Sequence, residues 1–445
     1  MFYLNKGTEL SPELLGKMIN KFNMNVKPRL QRYKNYYDGI QAILNKNYSD
    51  PSKPCSKAVT NFCLNIANSY AGYIATPEHI SYSSNDDIDE IMNVLRYNDY
   101  QSEDASFLLD ALIYGVAAEL MYMDEDAQVR FKLINPTTCF GVCDDSLTGD
   151  LLYFVRIYQV DEWNDSSLYH VDVYSDTSIK HYKTTTEFGA PIFMSEEPNY
   201  FSQCPANIFT LPDEKSIFDC IMSQQDSYNE LLNSEIDDYS AFCDAYMVIT
   251  GADLLPEDVA TMKQNRVMVL PDGAAAQYLT KAANDTQVEN TLKRIHENIY
   301  RIAQCPDFSS ESFVGGVSSG VAIQYRLTGM ETRAGKIEGE MKKALQRRIE
   351  IICGVASLKL GEDVFRDIKI TFKRNIPEDT TATINKINAL KGTVSDATLL
   401  GELDFITDVN AEIEAVRAQK QENMNIYGFG SFGAQTSDED LDEDE

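Results

Sequence analysis

A glycine-rich loop followed by the longest helical pattern in the chain constrains the fold more than any other feature. Residues 306–353 read PDFSSESFVGGVSSGVAIQYRLTGMETRAGKIEGEMKKALQRRIEIIC. The loop holds Gly315, Gly316 and Gly320, with Phe308, Phe313, Val314 and Val317 as its only large apolar groups. Beyond it, apolar residues fall at Ile323, Leu327, Met330, Ala334, Ile337, Met341, Leu345, Ile349 and Ile352. Steps of three and four mark one face of an α-helix. Ser318 or Ser319 can cap the first turn by accepting backbone N–H bonds. Roughly 30 residues at about 1.5 Å each make a rod of about 45 Å. Few monomeric globular domains need such a rod, whereas a ring of subunits packed side by side does.

The chain has 445 residues, room for about three domains. Its formal charge is −30, from 69 acidic against 39 basic side chains. A surface of that sign repels DNA phosphates and anionic lipid, which excludes tight duplex binding by bulk electrostatics. The sequence shows neither a membrane-length apolar run nor a cationic-then-apolar N-terminus, so a cytoplasmic chain is expected. The nine cysteines are scattered without a CxxC pair, and Cys139 and Cys143 lie closest. Reduced, mostly buried thiols are expected rather than a disulfide framework or zinc site.

Residues 1–50 are polar and helical in pattern, and the run RYKNYYDG (Arg32 to Gly39) interleaves basic residues with tyrosines. Such a run either stacks on nucleic acid or half-buries its rings on a surface helix. A loop at Tyr48–Pro54 leads to an amphipathic helix over residues 57–75, and two more helices follow, around Ile88–Tyr97 and Glu103–Tyr114. The period then changes to that of strands at Glu119–Met123, Val129–Leu133, Cys139–Val142, Leu151–Val160, His170–Tyr174 and Ile179–Tyr182. This predicts an antiparallel sheet with helices to one side, an α+β fold. Residues 187–212, with Pro191, Pro198, Pro205 and Pro212, read as loop.

A second helical block starts near Ser216, with Ile217, Ile221, Tyr228, Leu232, Ile236 and Tyr239 on its apolar face and acidic residues elsewhere. A small α/β insertion follows, with strands at Tyr246–Thr250, Arg266–Leu270 and Gln277–Thr280 and a short helix at Glu257–Lys263. The return helix starts at Thr286, where Glu289 gives capping-box spacing, and stops at Pro306. Two helices with a module between them make a stalk with a cap. Past the rod come a strand at Ile368–Phe372, short helices to about Gln421, the stretch GFGSFG (Gly428 to Gly433) and an acidic tail from Ser437.

No catalytic motif emerges. His79, His170, His181 and His296 have no metal-site spacing, and neither a nucleophile elbow, a P-loop nor a dinucleotide fingerprint is present. Paired carboxylates remain open by counting alone, which keeps a carboxylate-based hydrolase as a rival reading. Carboxylates on the stalk either line a channel, keeping a threaded phosphate backbone from sticking, or simply solvate exposed helices. The glycine loop lacks the Lys and preceding strand of a phosphate cradle and fits a mobile loop. The cations of the rod, Arg326, Arg333, Lys336, Lys342, Lys343, Arg347 and Arg348, are expected to pair with Glu331, Glu338 and Glu340 or with neighbours, or else to meet DNA.

Specific strings resemble the portal proteins of tailed double-stranded-DNA bacteriophages, in the long-tailed group infecting Gram-positive hosts. PDFSSESFVGGVSSGVAIQYRL resembles the loop entering that family's long kinked helix. DSYNELLNSEIDDYSAFCDAYMVITG (Asp226 to Gly251) resembles its first stem helix, and ITFKRNIPEDT (Ile370 to Thr380) its strand and turn toward the C-terminal region. The similarity spans most of residues 20–420.

The resemblance implies a dodecameric ring around a DNA channel. Residues 1–212 would form an α/β wing, 213–243 the first stem helix, 244–284 a small α/β clip and 285–305 the second stem helix. Residues 306–320 would form a tunnel loop, 321–374 the long helix and return strand of the wing, 375–427 a helical crown and 428–445 a flexible acidic tail. By position, Phe308, Ser309, Ser310, Phe313, Gly315, Gly316, Ser318, Ser319 and Gly320 would lie near DNA. Glu230, Glu235, Asp237 and Asp238 would form the channel face of the stem, and Glu257, Asp258, Lys263, Arg266 and Asp272 the adaptor- and terminase-facing clip. The implied ring sits at one capsid vertex of the virion and is assembled in the host cytoplasm. It nucleates head assembly with scaffold and major capsid protein, docks the terminase large subunit, passes DNA and binds a head-completion adaptor. It has no catalytic residue, cofactor, metal or membrane partner, since ATP hydrolysis belongs to terminase. A ring-forming scaffold unrelated to DNA is the second rival.

Overall fold

In a computed structural model, the chain is described at residues 1–50, 53–76, 79–84, 87–159, 168–186, 188–243, 247–251, 255, 257, 272–278, 285–309, 320–355, 364–374, 380–401, 403 and 409–426. Two compact units result, Met1–Asn375 and Ile376–Glu445. Mixed helix and sheet content makes the fold α+β.

The first unit opens with strand β1 (Phe2–Leu4), then helices α1 (Pro12–Lys21) and α2 (Lys27–Tyr37) joined by a π-helical turn at Phe22–Val26. Pro28 has no N–H to continue an α-helical ladder, which suits a widened turn just before α2. Then come α3 (Phe62–Ile74), β2 (Ile80–Ser83), α4 (Asp89–Tyr97) and α5 (Tyr100–Tyr114). The expected strands follow as β3 (Val116–Met123), β4 (Val129–Ile134), β5 (Cys139–Asp144), β6 (Leu151–Gln159), β7 (Tyr169–Tyr174) and β8 (Ser178–Thr184).

Two further strands, β9 (Ile192–Pro198) and β10 (Ala206–Thr210), occupy the segment read from sequence as loop. The four prolines there bracket the strands: Pro191 and Pro198 bound β9, and Pro205 and Pro212 flank β10. Proline lacks a ladder donor and is tolerated at such ends. The main sheet is mixed, not purely antiparallel. Its order is β1-β5-β6-β7-β8-β9, with β1 parallel to β5 and the other pairs antiparallel.

Leu15, Ile19, Phe22 and Leu30 cover one face of this sheet at Val142, Val155, Val171 and Val173. On the opposite face, Phe154 and Tyr174 pack against Ala118, Leu120 and Ala206 of the three-stranded sheet β10-β3-β4. Each fully buried aliphatic side chain contributes about 1.5–3 kcal/mol by leaving water. Gly115 ends α5 at φ +79°, and a Cβ there would come 2.6 Å from the backbone of Glu214. Only glycine allows that approach without backbone movement.

Asp110 on α5 is pushed up to about 6 by burial, against the pull of Lys34. A carboxyl whose folded value lies above its unfolded value of about 3.9 adds full stability below pH about 4. That contribution is lost as pH rises through about 6. Asp110→Asn is therefore expected to leave stability unchanged at pH 4 and raise it by about 1–2 kcal/mol at pH 7, discounted for residual solvent. Urea melts at both pH values check this, and equal effects at both would refute it.

The later elements of this unit are α6 (Met222–Cys243), the antiparallel pair β11 (Met247–Thr250) and β12 (Ala275–Tyr278), α7 (Asp285–Ala303), the rod α8 (Gly320–Cys353), α9 (Val364–Asp367) and β13 (Lys369–Phe372). β13 pairs antiparallel with β2. The rod's 34 residues span about 51 Å. Its seam from Leu327 to Ile352 is buried as the periodicity predicts, and Ile323 is half-buried. The expected strand at residues 266–270 lies outside the described residues. The second unit holds α10 (Thr380–Leu390), α11 (Asp396–Leu400) and α12 (Val409–Ile426), with Ser395 capping α11.

Candidate functional site

Helix α6 has the polar stripe Gln225, Asn229, Asn233 and Asp237, four residues apart, and every member is buried. The backbone N–H of Phe62 donates to Gln225 Oε1 (2.9 Å), Thr60 to Asn229 Oδ1 (3.0 Å), Ala58 to Asn233 Oδ1 (2.7 Å) and Ser56 to Asp237 Oδ1 (2.6 Å). The amide groups donate in return to Thr60 O, Gln41 Oε1 and Ala58 O. Four helical residues rise about 6.0 Å, and two residues of extended chain about 6.6 Å. The near match lets every fourth side chain of a helix bond every second residue of a neighbouring segment.

This stripe corrects the face read from sequence. Ile217 and Ile221 are buried as expected, but Tyr228, Leu232 and Ile236 are only half-buried and Tyr239 is 73% exposed. Amides bury well here because each finds backbone partners. Asp237 is likewise corrected as a channel-facing residue. It points inward, accepting from Lys46 Nζ (3.2 Å) and Tyr48 Oη (3.3 Å) as well as from Ser56. Of the other expected stem residues, Glu230 and Asp238 are exposed and Glu235 is half-buried, with Glu230 3.8 Å from Lys46.

Two of the three tyrosines of RYKNYYDG, Tyr33 and Tyr36, also turn inward, and Tyr37 is half-buried. Tyr33 Oη donates to Asp219 (2.8 Å) and Tyr36 Oη to Asp226 (2.8 Å), tying α2 to the start of α6. These two rings are buried and unavailable for stacking on nucleic acid.

At the root of the glycine loop, α7 ends with Gln304 in the left-handed region at φ +54°. Tyr70 Oη donates to the carbonyls of Ala303 (2.9 Å) and Gln304 (3.1 Å). Arg333 on α8 donates to Ala303 O (2.9 Å) and Ile217 O (2.7 Å). One guanidinium thus holds together the end of α7, the approach to α6 and the rod. Asp307 accepts from the N–H (3.0 Å) and hydroxyl (2.6 Å) of Ser309, and its other oxygen lies 3.8 Å from His296 Nε2. Beside this root a cavity of about 800 Å³ brings Lys293, Arg301 and Arg326 to one place.

Phe308 is 41% exposed, Ser309 is exposed, and Gly320 opens the rod. Ser310, Phe313, Gly315, Gly316, Ser318 and Ser319 lie outside the described residues, as do Asp258, Lys263 and Arg266. Glu257 and Asp272 are exposed.

The rod's cations mostly take partners within the chain: Lys342–Glu338 (2.6 Å), Lys343–Glu340 (2.8 Å) and Arg347–Glu350 (2.9 Å). Arg348 is different. It is 1% exposed and bonds Asp104 and, through two nitrogens, Glu119. Burial is the first influence on Asp104, pushing its carboxyl up against the pull of Arg348 and of Tyr82 Oη. Neither Asp104 nor Asp110 lines the cavities of about 990 and 800 Å³, so the carboxyls that burial raises do not face those openings. Among the described residues, no group of three or more His, Cys, Asp or Glu could hold a metal ion, and no helix is long and apolar enough to cross a membrane.

The family model for the phage portal protein, SPP1 Gp6-like, matches residues 17–425. The portal protein of Bacillus phage SPP1 is 21% identical over 228 residues, which is 49% of this chain. The match spans 44% of that relative's length.

Proposed function

The chain belongs to the SPP1 Gp6-like family of phage portal proteins, and from that premise we propose that copies of it form a dodecameric ring at one capsid vertex that conducts the genome. Membership over residues 17–425 is the observation that carries this reading. On it, the ring nucleates head assembly with scaffold and capsid protein, docks the terminase large subunit, passes double-stranded DNA and later binds a head-completion adaptor. It is a virion component assembled in the host cytoplasm, and it supplies no catalysis of its own.

In this reading residues 1–212 and 321–374 form the wing, 213–243 and 285–305 the stem, 244–284 the clip, 306–320 the tunnel loop and 375–427 the crown, with 428–445 as the tail. The order of α6, the β11–β12 pair and α7, with the loop root held by Arg333 and Tyr70, supports the stem assignment. The half-buried Leu232 and Ile236 and the exposed Tyr239 are apolar surface for a neighbouring subunit. Glu230, Glu235 and Asp238 remain the channel face, where like charge keeps phosphates from adhering. Phe308, Ser309 and the loop up to Gly320 approach the DNA, and Glu257, Asp258, Lys263, Arg266 and Asp272 face terminase and adaptor.

Light scattering with negative-stain microscopy, on the protein alone and with its scaffold, tests the ring. A closed ring with a central hole is expected, and a species that stays monomeric in both conditions would overturn the reading. Charge reversal tests the channel face. Glu235→Lys with Asp238→Lys is expected to leave ring assembly intact and slow DNA packaging at least several-fold, with the defect easing at higher salt. Packaging at the wild-type rate would remove these residues from the channel.

A further inference from the structure

Strand β9 is the outer edge of the six-stranded sheet, and all seven of its residues are exposed. Ile192 is 56%, Phe193 51% and Met194 51% exposed, so much of both faces of the strand stays open, although the Phe193 ring lies edge-on to Tyr182 at 5.8 Å. A bare sheet edge with large apolar side chains invites pairing with another strand. The opposite edge of the same sheet is β1, where Tyr3 is 65% exposed. Among the described residues, no strand pairs with the outer side of either edge.

The topology fixes how the two edges run. β1 is parallel to β5, and four successive antiparallel pairs lead from β5 to β9. Four reversals restore direction, so β9 runs parallel to β1. Copies set side by side with strand direction kept would therefore bring β9 of one beside β1 of the next in parallel.

The sequences suit that direction. β1 reads Phe2-Tyr3-Leu4 and runs straight into a turn at Asn5–Thr8 that carries Lys6, while β9 reads Ile192-Phe193-Met194-Ser195-Glu196-Glu197-Pro198. Parallel pairing lays the apolar residues of β1 beside those of β9 and brings the turn with Lys6 to the end that carries Glu196 and Glu197. Antiparallel pairing would bring the Lys6 turn to the Ile192 end and the glutamates to the Phe2 end. Lys6 is exposed and the Glu197 side chain is 68% exposed, so both are available for the contact.

We propose that β9 of one copy adds to β1 of the next as a parallel strand, joining the sheets of neighbouring copies head to tail. The two patches differ, so the contact is heterologous and repeats until a ring closes. The inference rests on the ring reading and adds to it the surface by which neighbours join.

Cysteine cross-linking tests it in the full chain, with the exposed Cys220 replaced by serine. Asn5→Cys is combined with Ser195→Cys in one variant and with Glu196→Cys in another, so that both registers are sampled. Within one copy the two edges stand five strand spacings apart, about 24 Å, far beyond the roughly 7 Å that a disulfide can bridge between Cα atoms. After mild oxidation of assembled protein, a ladder of covalent multimers is expected on a non-reducing gel, with most of the monomer band lost in at least one variant. Single-cysteine variants should give no ladder. Assembled protein without a ladder in either register, or with dimers alone, would overturn the edge pairing and leave the ring reading untouched. Protein that stays monomeric, alone and with scaffold, would overturn both.

Discussion

Replacing Arg348 by methionine is expected to destabilise the Met1–Asn375 unit by about 3–5 kcal/mol. The guanidinium is fully enclosed, with Asp104 and Glu119 beside it at 0% exposure. Its Nε and Nη2 reach Glu119 at 2.7–3.0 Å, and Nη1 bonds Asp104. Around this core, Tyr82 Oη donates to Asp104 (2.8 Å), and the Asn207 amide donates to Glu119 (2.6 Å) and to Ala344 O of the rod (2.8 Å). Arg348 also lies 4.4 Å over the Phe131 ring.

Methionine replaces the apolar stem of the side chain but removes the guanidinium that Asp104 and Glu119 share. Two carboxylates then face each other in low dielectric, the costly case for buried charge. The loss should be greatest above neutral pH and shrink in acid, because protonation of Asp104 relieves it. Urea melts of both proteins across pH 5–8 measure it. A loss under about 1 kcal/mol at pH 8 would show that the cluster does not hold rod and sheet together. Arg348→Lys is expected to recover only part of the loss, since one ammonium cannot reproduce a bidentate fork to Glu119.

The double substitution Asn229→Leu with Asn233→Leu carries the second large effect. It leaves the N–H groups of Thr60 and Ala58, the Ala58 carbonyl and the Gln41 side-chain oxygen without their partners. Leucine is a good helix former, so helix α6 itself should persist. Unmade buried hydrogen bonds cost about 1–3 kcal/mol each, and their costs are not additive, so a total near 3 kcal/mol is expected. Hydrogen exchange localises the effect: the amides of Ala58 and Thr60 should lose protection while those of the rod keep theirs. Unchanged protection at these two amides would mean that other contacts hold the segment to α6. This segment ties helix α6 to the start of α3, so the variant should also loosen that junction.

The sequence by itself determined the elements whose burial follows a period. The rod was legible because Leu327 to Ile352 repeat at steps of three and four, and β3 to β8 because short strand-like runs are punctuated by turn residues such as Asp124-Glu125-Asp126, Asn135-Pro136 and Thr148-Gly149. Strands β9 and β10 were hidden by prolines that mark their ends, which look the same as loop prolines in one dimension. The family was legible from the strings around the loop, over Asp226 to Gly251 and at the Pro-Glu-Asp turn.

Tertiary structure alone decided which polar residues are buried. Arg348 falls on the apolar seam between Leu345 and Ile352, and Gln225, Asn229, Asn233 and Asp237 repeat every four residues, so the signal was present in both cases. Its meaning was not, because a charge or an amide belongs in a core only when partners far along the chain meet it there. Those partners lie 229 and 244 residues away for Arg348 and 163 to 191 away for the α6 stripe. Periodicity reports how one helix divides its faces. Whether a polar face meets water, a neighbour or a buried backbone is set by the packing of distant segments, and that is a property of the folded chain.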